Sequence, residues 1–159
     1  VVISRCGNNY GPRQFPEKLI PLFVTNALDD QALPLYGDGL NVRDWIHVED
    51  HCRAIALVLS RGSAGAVYNV SATGDHSNIE ISRAILGALG KPEALISPVR
   101  DRPGHDRRYA LDAGRIREEL GWAPRIGFEE GLATTVSWYS DNRAWWERLK
   151  NGEGGNDGE

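Results

Sequence analysis

Between Val99 and Tyr109 the sequence reads Val-Arg-Asp-Arg-Pro-Gly-His-Asp-Arg-Arg-Tyr, with four arginines, two aspartates and one histidine around a Pro-Gly corner. A buried core element could not carry this composition, so a loop is expected. Guanidinium forks match phosphate oxygens in bidentate geometry, and a Pro-Gly turn fixes where such forks point. The chemistry on offer is anion binding. The competing reading is a solvated charged turn, because charge runs commonly lie on exposed faces. A second polar constellation, Gly7-Asn8-Asn9-Tyr10-Gly11-Pro12, follows the β-branched run Val1-Val2-Ile3-Ser4. Ligands of open α/β sheets bind at the C-terminal ends of strands, and an amide offers both donor and acceptor to a hydroxyl or carboxamide.

Other chemistries are disfavoured. Cys6 and Cys52 have no metal-ligand spacing and are too few for a disulfide framework, so no metal site is expected and a reducing cytoplasm fits. The 159 residues carry a net charge of −4, which makes any attraction for phosphate local and argues against nucleic acid as a partner. No secretory leader and no apolar run of bilayer length are present, so no membrane partner is expected. The chain has no methionine and opens inside what reads as a buried parallel strand; an N-terminal portion is therefore expected to be missing.

The elements that would position these groups alternate in type. After the strand Val1 to Cys6 and its polar loop, Lys18 to Ala27 has helical spacing, with Pro21 near enough to the start to be tolerated. Leu33 to Tyr36, Gly37-Asp38-Gly39 and Val42 to Val48 read as strand, turn and strand, predicting a hairpin. Glu49-Asp50 lead a helix closed by Gly62, Ala66 to Val70 is β-rich, and Thr73 to His76 reads as a turn. Ser77 and Glu80 form a capping box for a helix through Leu89, stopped by Gly90 and Pro92. An extended Leu95 to Val99 leads into the basic loop. Two helices follow, Asp112 to Leu120 and one longer helix from Phe128 to about Leu149, whose Trp138, Tyr139, Trp145 and Trp146 read as packing residues. The Gly-rich tail 151–159 is expected to be disordered.

Asn8 to Arg13, Lys18-Leu19-Ile20-Pro21, Pro34 to Gly39, Val42-Arg43-Asp44-Trp45 and Asp101 to Asp106 together resemble the C-terminal half of the dTDP-glucose 4,6-dehydratases, which are extended short-chain dehydrogenase/reductases. The resemblance runs in family order from Val1 to about Trp146. It implies an α/β fold containing the last strands of a Rossmann-type sheet and a smaller substrate-binding domain, occupying residues 1–150. It also implies a parent enzyme, a lyase, that uses NAD to oxidise C4 of the glucose, eliminates water across C5 and C6, and returns the hydride to C6. The parent is expected to be a homodimer with dTDP-glucose or a related nucleotide sugar as substrate.

The resemblance further implies roles for individual residues. Asn8 matches a substrate-contacting asparagine, and Asn9 the one that reaches toward the nicotinamide end of NAD; both could instead cap the loop through Asx turns. Lys18 and Leu19 match a nucleotide contact, with an exposed helix lysine as the alternative. Pro34, Leu35 and Tyr36 match the strand flanking the base, where Tyr36 would cover a thymine ring or else pack in the core. Arg43 and Arg102 match diphosphate-binding arginines, and Asn78 a polar contact near the phosphates. Arg43 could instead pair with Asp44 or Glu49, and Arg102 with Asp101 or Asp106. Asp101, Pro103, Gly104 and His105 match the rest of the loop expected to shape the nucleotide pocket, with a turn-stabilising histidine as the alternative for His105, while His47 and His51 are read as structural. Gly7 stands where the family pattern suggests Ser.

The family's dinucleotide fingerprint, its Tyr-x-x-x-Lys pair and its Asp-Glu pair have no counterpart in these 159 residues. No catalytic residue is therefore assigned, and the NAD-binding portion is expected to lie in the missing half. The leading expectation is the nucleotide-sugar-binding portion of a dehydratase, inert by itself. The alternatives are the same portion of a UDP-sugar epimerase or decarboxylase, or a noncatalytic sugar-nucleotide-binding or scaffolding chain.

Overall fold

The computed structural model describes residues 1–72 and 74–152. Three small sheets, six α-helices and one short 3-10 helix (Glu93–Leu95) make up the described residues. Strand β1 (Ile3–Cys6) pairs in parallel with β5 (Val67–Val70). Strand β2 (Asn8–Tyr10) pairs in parallel with β4 (Val42–His47), and β4 also takes β6 (Asp75–Ser77) antiparallel and β8 (Arg108–Tyr109) parallel. Strand β3 (Leu33–Tyr36) pairs in parallel with β7 (Ile96–Val99). The helices are α1 (Leu19–Leu28), α2 (Val48–Arg61), α3 (Asn78–Leu89), α4 (Gly114–Leu120), α5 (Phe128–Asp141) and α6 (Arg143–Lys150).

Two hydrophobic clusters result, and successive residues of β4 feed different ones. Trp45 joins Tyr10, α1, β3, α3 and α5, whereas Ile46 joins Ala54 and Val58 of α2, Tyr68, Val70, Ile116 and Trp122. Strand alternation sends neighbouring side chains to opposite faces, so one strand anchors both cores. Among the described residues no helix is long and apolar enough to cross a membrane.

Local signals account for the helix ends. Pro21 falls in the first turn of α1, where its missing N–H would have no intrahelical partner. Ser77 and Glu80 close the expected capping box on α3, and Gly90 and Gly121 end α3 and α4 in the left-handed conformation at φ 64° and 66°.

Five expectations need correction. The Gly37–Gly39 turn forms, but β3 and β4 do not make a hairpin; Ile79 donates to the Gly39 carbonyl and Asn78 to that of Asn41. These bonds tie the chain leaving the turn to the start of α3, and β3 pairs with β7 instead. The Asn8–Tyr10 loop is a short strand, because its backbone finds β4 as a partner. Asp75 and His76 lie in β6 rather than a turn, and Thr73 lies outside the described residues. The final long helix is two helices. Asn142 leaves helical geometry at φ −117° and ψ 40° and caps the end of α5, its backbone N–H and its side-chain amide both donating to Trp138 O, at 3.0 and 2.8 Å. Strand β1 is not buried, with Ile3 46% exposed, since β5 is its one partner among the described residues. Of the tail 151–159 expected to be disordered, Asn151 and Gly152 form a turn, donating to Glu147 O and Leu149 O, and 153–159 lie outside the described residues.

Candidate functional site

The C-terminal end of β3, the N-terminal ends of α1 and α3, and the basic loop surround a cavity of about 340 Å³. Four segments distant in sequence line it. Lys18 and Leu19 come from the start of α1, Pro34, Leu35 and Tyr36 from β3, Asn78 from the start of α3, and Arg102 and His105 from the loop. A second hollow of about 270 Å³ is lined by Arg43, Pro103, Gly104 and Asp106, and shares Arg102 and His105 with the first. Eleven of the thirteen residues expected to contact substrate thus line these two hollows. Asp101 and Asn8 do not. Asp101 stands behind His105, and Asn8 lies on β2 at the other end of the β4 ladder.

The loop holds its own side chains in order. His105 Nδ1 is 2.7 Å from Asp101 Oδ1, and His105 Nε2 is 3.2 Å from the Arg102 guanidinium. A guanidinium has donors only, so Nε2 accepts and the ring hydrogen sits on Nδ1, where it donates to Asp101. Hydrogen bonds from His105 and from the Arg102 backbone N–H hold the Asp101 carboxyl below the usual carboxylate range. Gly104 turns the corner at φ 71°. The His105 ring meets Tyr36 edge to face at 6.4 Å, and Tyr36 is 40% exposed, which sets aside core packing as its role.

Charge bookkeeping separates the arginines. Arg107 pairs with Asp38 and Arg108 with Asp75, whereas among the described residues neither Arg43 nor Arg102 takes part in an ion pair. Among the described residues the Arg43 guanidinium donates to the neighbouring Val42 carbonyl alone, at 2.7 Å. The surface-pair alternatives to Asp44, Glu49, Asp101 and Asp106 are therefore not realised, and two cationic groups face one hollow. Lys18 is paired with Glu17 at 2.7 Å, both well exposed, a contact worth little. Asn78 is 5% exposed, and its Oδ1 has no hydrogen-bond partner among the described residues.

Strand alternation divides the two asparagines. Tyr10 is buried in the first hydrophobic cluster, so Asn8 faces that side and Asn9 the opposite one. There the Asn9 amide nitrogen donates to Cys6 Sγ at 3.2 Å and to Gly7 O at 3.3 Å, and its carbonyl oxygen lies 2.8 Å from His51 Nδ1. Burial lowers the His51 pKa below its ordinary value. Gln14 donates to the Asn9 backbone carbonyl at 2.9 Å. These contacts, rather than an Asx turn, occupy the Asn9 side chain. Among the described residues no three His, Cys, Asp or Glu side chains are gathered to hold a metal ion.

Sequence reasoning missed Leu22 and Phe23 as cavity walls, although they stand three and four residues from Leu19 and so on one helix face. It also missed the place of His51 beside Asn9. No local pattern reveals a contact made across 42 residues.

A family model described as GDP-mannose 4,6 dehydratase matches residues 1–135. A dTDP-glucose 4,6-dehydratase of Actinoplanes sp. is 56% identical over 146 residues, covering 92% of this chain and 46% of that relative. Among solved structures, dTDP-glucose 4,6-dehydratase (DesIV) from Streptomyces venezuelae, with NAD and dTDP bound, superposes with a TM-score of 0.92 at 56% identity, covering 94% of this chain and 46% of that one. UDP-glucose 4-epimerase from Thermotoga maritima, solved with UDP-glucose, superposes at 0.82 and 29% identity over 89% of this chain and 46% of its own. The chain spans about half the length of the curated relatives it matches. The α/β architecture with parallel strand pairs is that of the extended short-chain dehydrogenase/reductases.

Proposed function

Because the chain belongs to the family described as GDP-mannose 4,6 dehydratase, we propose that it is the nucleotide-sugar-binding part of an NAD-dependent dTDP-glucose 4,6-dehydratase, a lyase that converts dTDP-glucose to dTDP-4-keto-6-deoxyglucose and water. The observation that carries this reading is the pair of adjoining hollows. One has an aromatic ring and an apolar strand as walls and suits a base. The other presents Arg43 and Arg102, neither ion-paired among the described residues, and suits a diphosphate.

Tyr36 covers the base, with Pro34 and Leu35 along its edge, while Lys18, Leu19 and the start of α3 offer donors to its rim. Asn78 contributes a polar contact near the phosphates. Asp101 and His105 hold Arg102 in place, and Pro103-Gly104 sets the loop's corner. Asn8 faces the sugar. Asn9 serves NAD: its two amide hydrogens are already engaged, so what it offers is a carbonyl lone pair, which suits the N–H of a carboxamide. NAD, when bound, supplies the hydride acceptor and donor; the groups described here bind and orient. The complete parent acts as a homodimer in the cytoplasm.

A corresponding part of a UDP-sugar epimerase or decarboxylase is the second reading, favoured by the likeness to the Thermotoga maritima epimerase. Turnover tests the assignment. With dTDP-glucose and NAD, the complete parent forms the 4-keto-6-deoxy product and the isolated 159-residue chain forms none. Product from the purified chain, with host enzyme excluded, overturns the inert-fragment assignment. A complete parent that epimerises UDP-glucose and leaves dTDP-glucose untouched overturns the dehydratase reading.

A further inference from the structure

We propose that His51 is a positioning residue for the cofactor site, holding the Asn9 side-chain amide in one of its two flipped orientations. The inference deepens the reading of Asn9 as a cofactor contact and rests on it. An asparagine amide can present either its oxygen or its NH2 group to a ligand, and the two ends are similar in size. What decides the matter is the identity of the neighbouring groups. The Gly7 carbonyl can only accept a hydrogen bond, so the Asn9 group 3.3 Å from it is the NH2; Cys6 Sγ takes the same group at 3.2 Å. The opposite end is then the carbonyl oxygen, and His51 Nδ1 meets it at 2.8 Å. Nδ1 must therefore carry the ring hydrogen.

The placement follows from the fold. His51 stands in the first turn of α2, which begins one residue after β4 ends. Asn9 lies on β2, paired with Ile46 of that same strand. Helix and amide are thus referenced to one backbone ladder. Donors at one end and acceptors at the other leave the amide no equivalent state after a flip, since rotation would set NH2 against N–H and carbonyl against carbonyl. Asn9 consequently presents an acceptor to the cofactor with little orientational freedom left to lose on binding.

Imidazole offers two nitrogens at different reach, which gives the test its resolution. In the complete parent, His51→Asn places an amide N–H near the position of Nδ1, whereas His51→Gln places it near Nε2. The expected result is that His51→Ala and His51→Gln weaken NAD binding by roughly three- to tenfold, the scale of one neutral hydrogen bond. His51→Asn restores most of the affinity, and dTDP affinity is unchanged in all three. Combining His51→Ala with Asn9→Ala adds nothing to Asn9→Ala alone.

Three results discriminate. NAD binding that is unaffected by His51→Ala, or equally weak in the Asn and Gln variants, overturns the positioning role. Additive losses in the double variant also overturn it, because His51 would then act independently of Asn9. Should Asn9→Ala itself leave NAD affinity intact, the failure belongs to the cofactor reading beneath the proposal. If His51→Ala does not fold, the Asn and Gln comparison decides the matter by itself.

Discussion

The guanidinium carbon of Arg102 lies 5.1 Å from the centre of the Tyr36 ring, in cation–π contact. The ring that would cover a base and a cation that would hold a phosphate are therefore neighbours, and neither can be altered without affecting the other. Contacts of this type contribute about 0.5 to 1 kcal/mol at exposed sites.

Tyr36→Ala in the complete parent should weaken dTDP binding by more than loss of stacking alone, which is about 1 to 3 kcal/mol. Tyr36→Phe keeps the ring face and should stay within about threefold of the parent. Competition among dTDP, UDP and GDP should favour the thymine nucleotide. Equal affinities, or a preference for UDP, would support the epimerase or decarboxylase reading.

Arg43→Ala and Arg102→Ala should each reduce dTDP-sugar affinity roughly tenfold to hundredfold, since a hydrogen bond to a charged group contributes about 1.5 to 3 kcal/mol. Thermal melting should hardly move, because neither guanidinium is part of an ion pair among the described residues. A large fall in melting temperature with dTDP affinity unchanged would make them fold-stabilising residues instead.

Much of this site was legible in the sequence for a simple reason: Arg43, Tyr36 and the Asp101–His105 loop are exposed or semi-exposed groups of a type that surface packing does not require. Element type was legible where the backbone signal was local, as at the Ser77–Glu80 capping box and the glycine stops. Pairing was not. The Asp-Gly turn after Tyr36 has hairpin chemistry, but strand partners depend on bonds such as Ile79 N–H to Gly39 O that join residues 40 apart in sequence. The break at Asn142 was hidden because asparagine is tolerated inside helices, and only its backbone angles and its side-chain bond to Trp138 O show that it caps one there. The contact of His51 with Asn9 was hidden for the same reason, since His51 lies on α2 and its partner on β2, 42 residues away.

Asp50 is fully buried, and its Oδ2 accepts the backbone N–H groups of Arg125 and Ile126, each at 3.0 Å, while Oδ1 accepts from Arg53. Burial alone would raise its pKa; the Ile126 N–H, the Arg53 guanidinium and the Arg125 N–H outweigh that and hold the carboxyl below its ordinary value. A depressed folded-state pKa contributes stability above the unfolded value of about 3.9, lost as pH falls toward the folded one. Asp50→Ala should cost about 3 kcal/mol at neutral pH. Its melting-temperature gap from the parent should be constant above about pH 5 and narrow below about pH 4. A gap independent of pH down to acid unfolding would rule out this role.

Gly7→Ser, which restores the residue the family pattern suggests, should destabilise this chain. A Cβ at Gly7 would stand 2.7 Å from both the backbone oxygen and Oδ2 of Asp44, and overpacking typically costs about 1 to 3 kcal/mol. An unchanged melting temperature would show that the Asp44 segment gives way freely.

The ladder that carries Arg43 also fixes a length. Asn8 is in register with Trp45, two residues along β4 from Arg43, a separation of about 7 Å at the usual strand rise. Arg43 is itself held between His76 of β6 and Tyr109 of β8. Backbone hydrogen bonds, not side chains, set the spacing between the asparagine end and the arginine end. On the proposed reading the ladder is a fixed gauge: substitutions at either end would tune how firmly a ligand is gripped, while the distance at which it is gripped would stay the same.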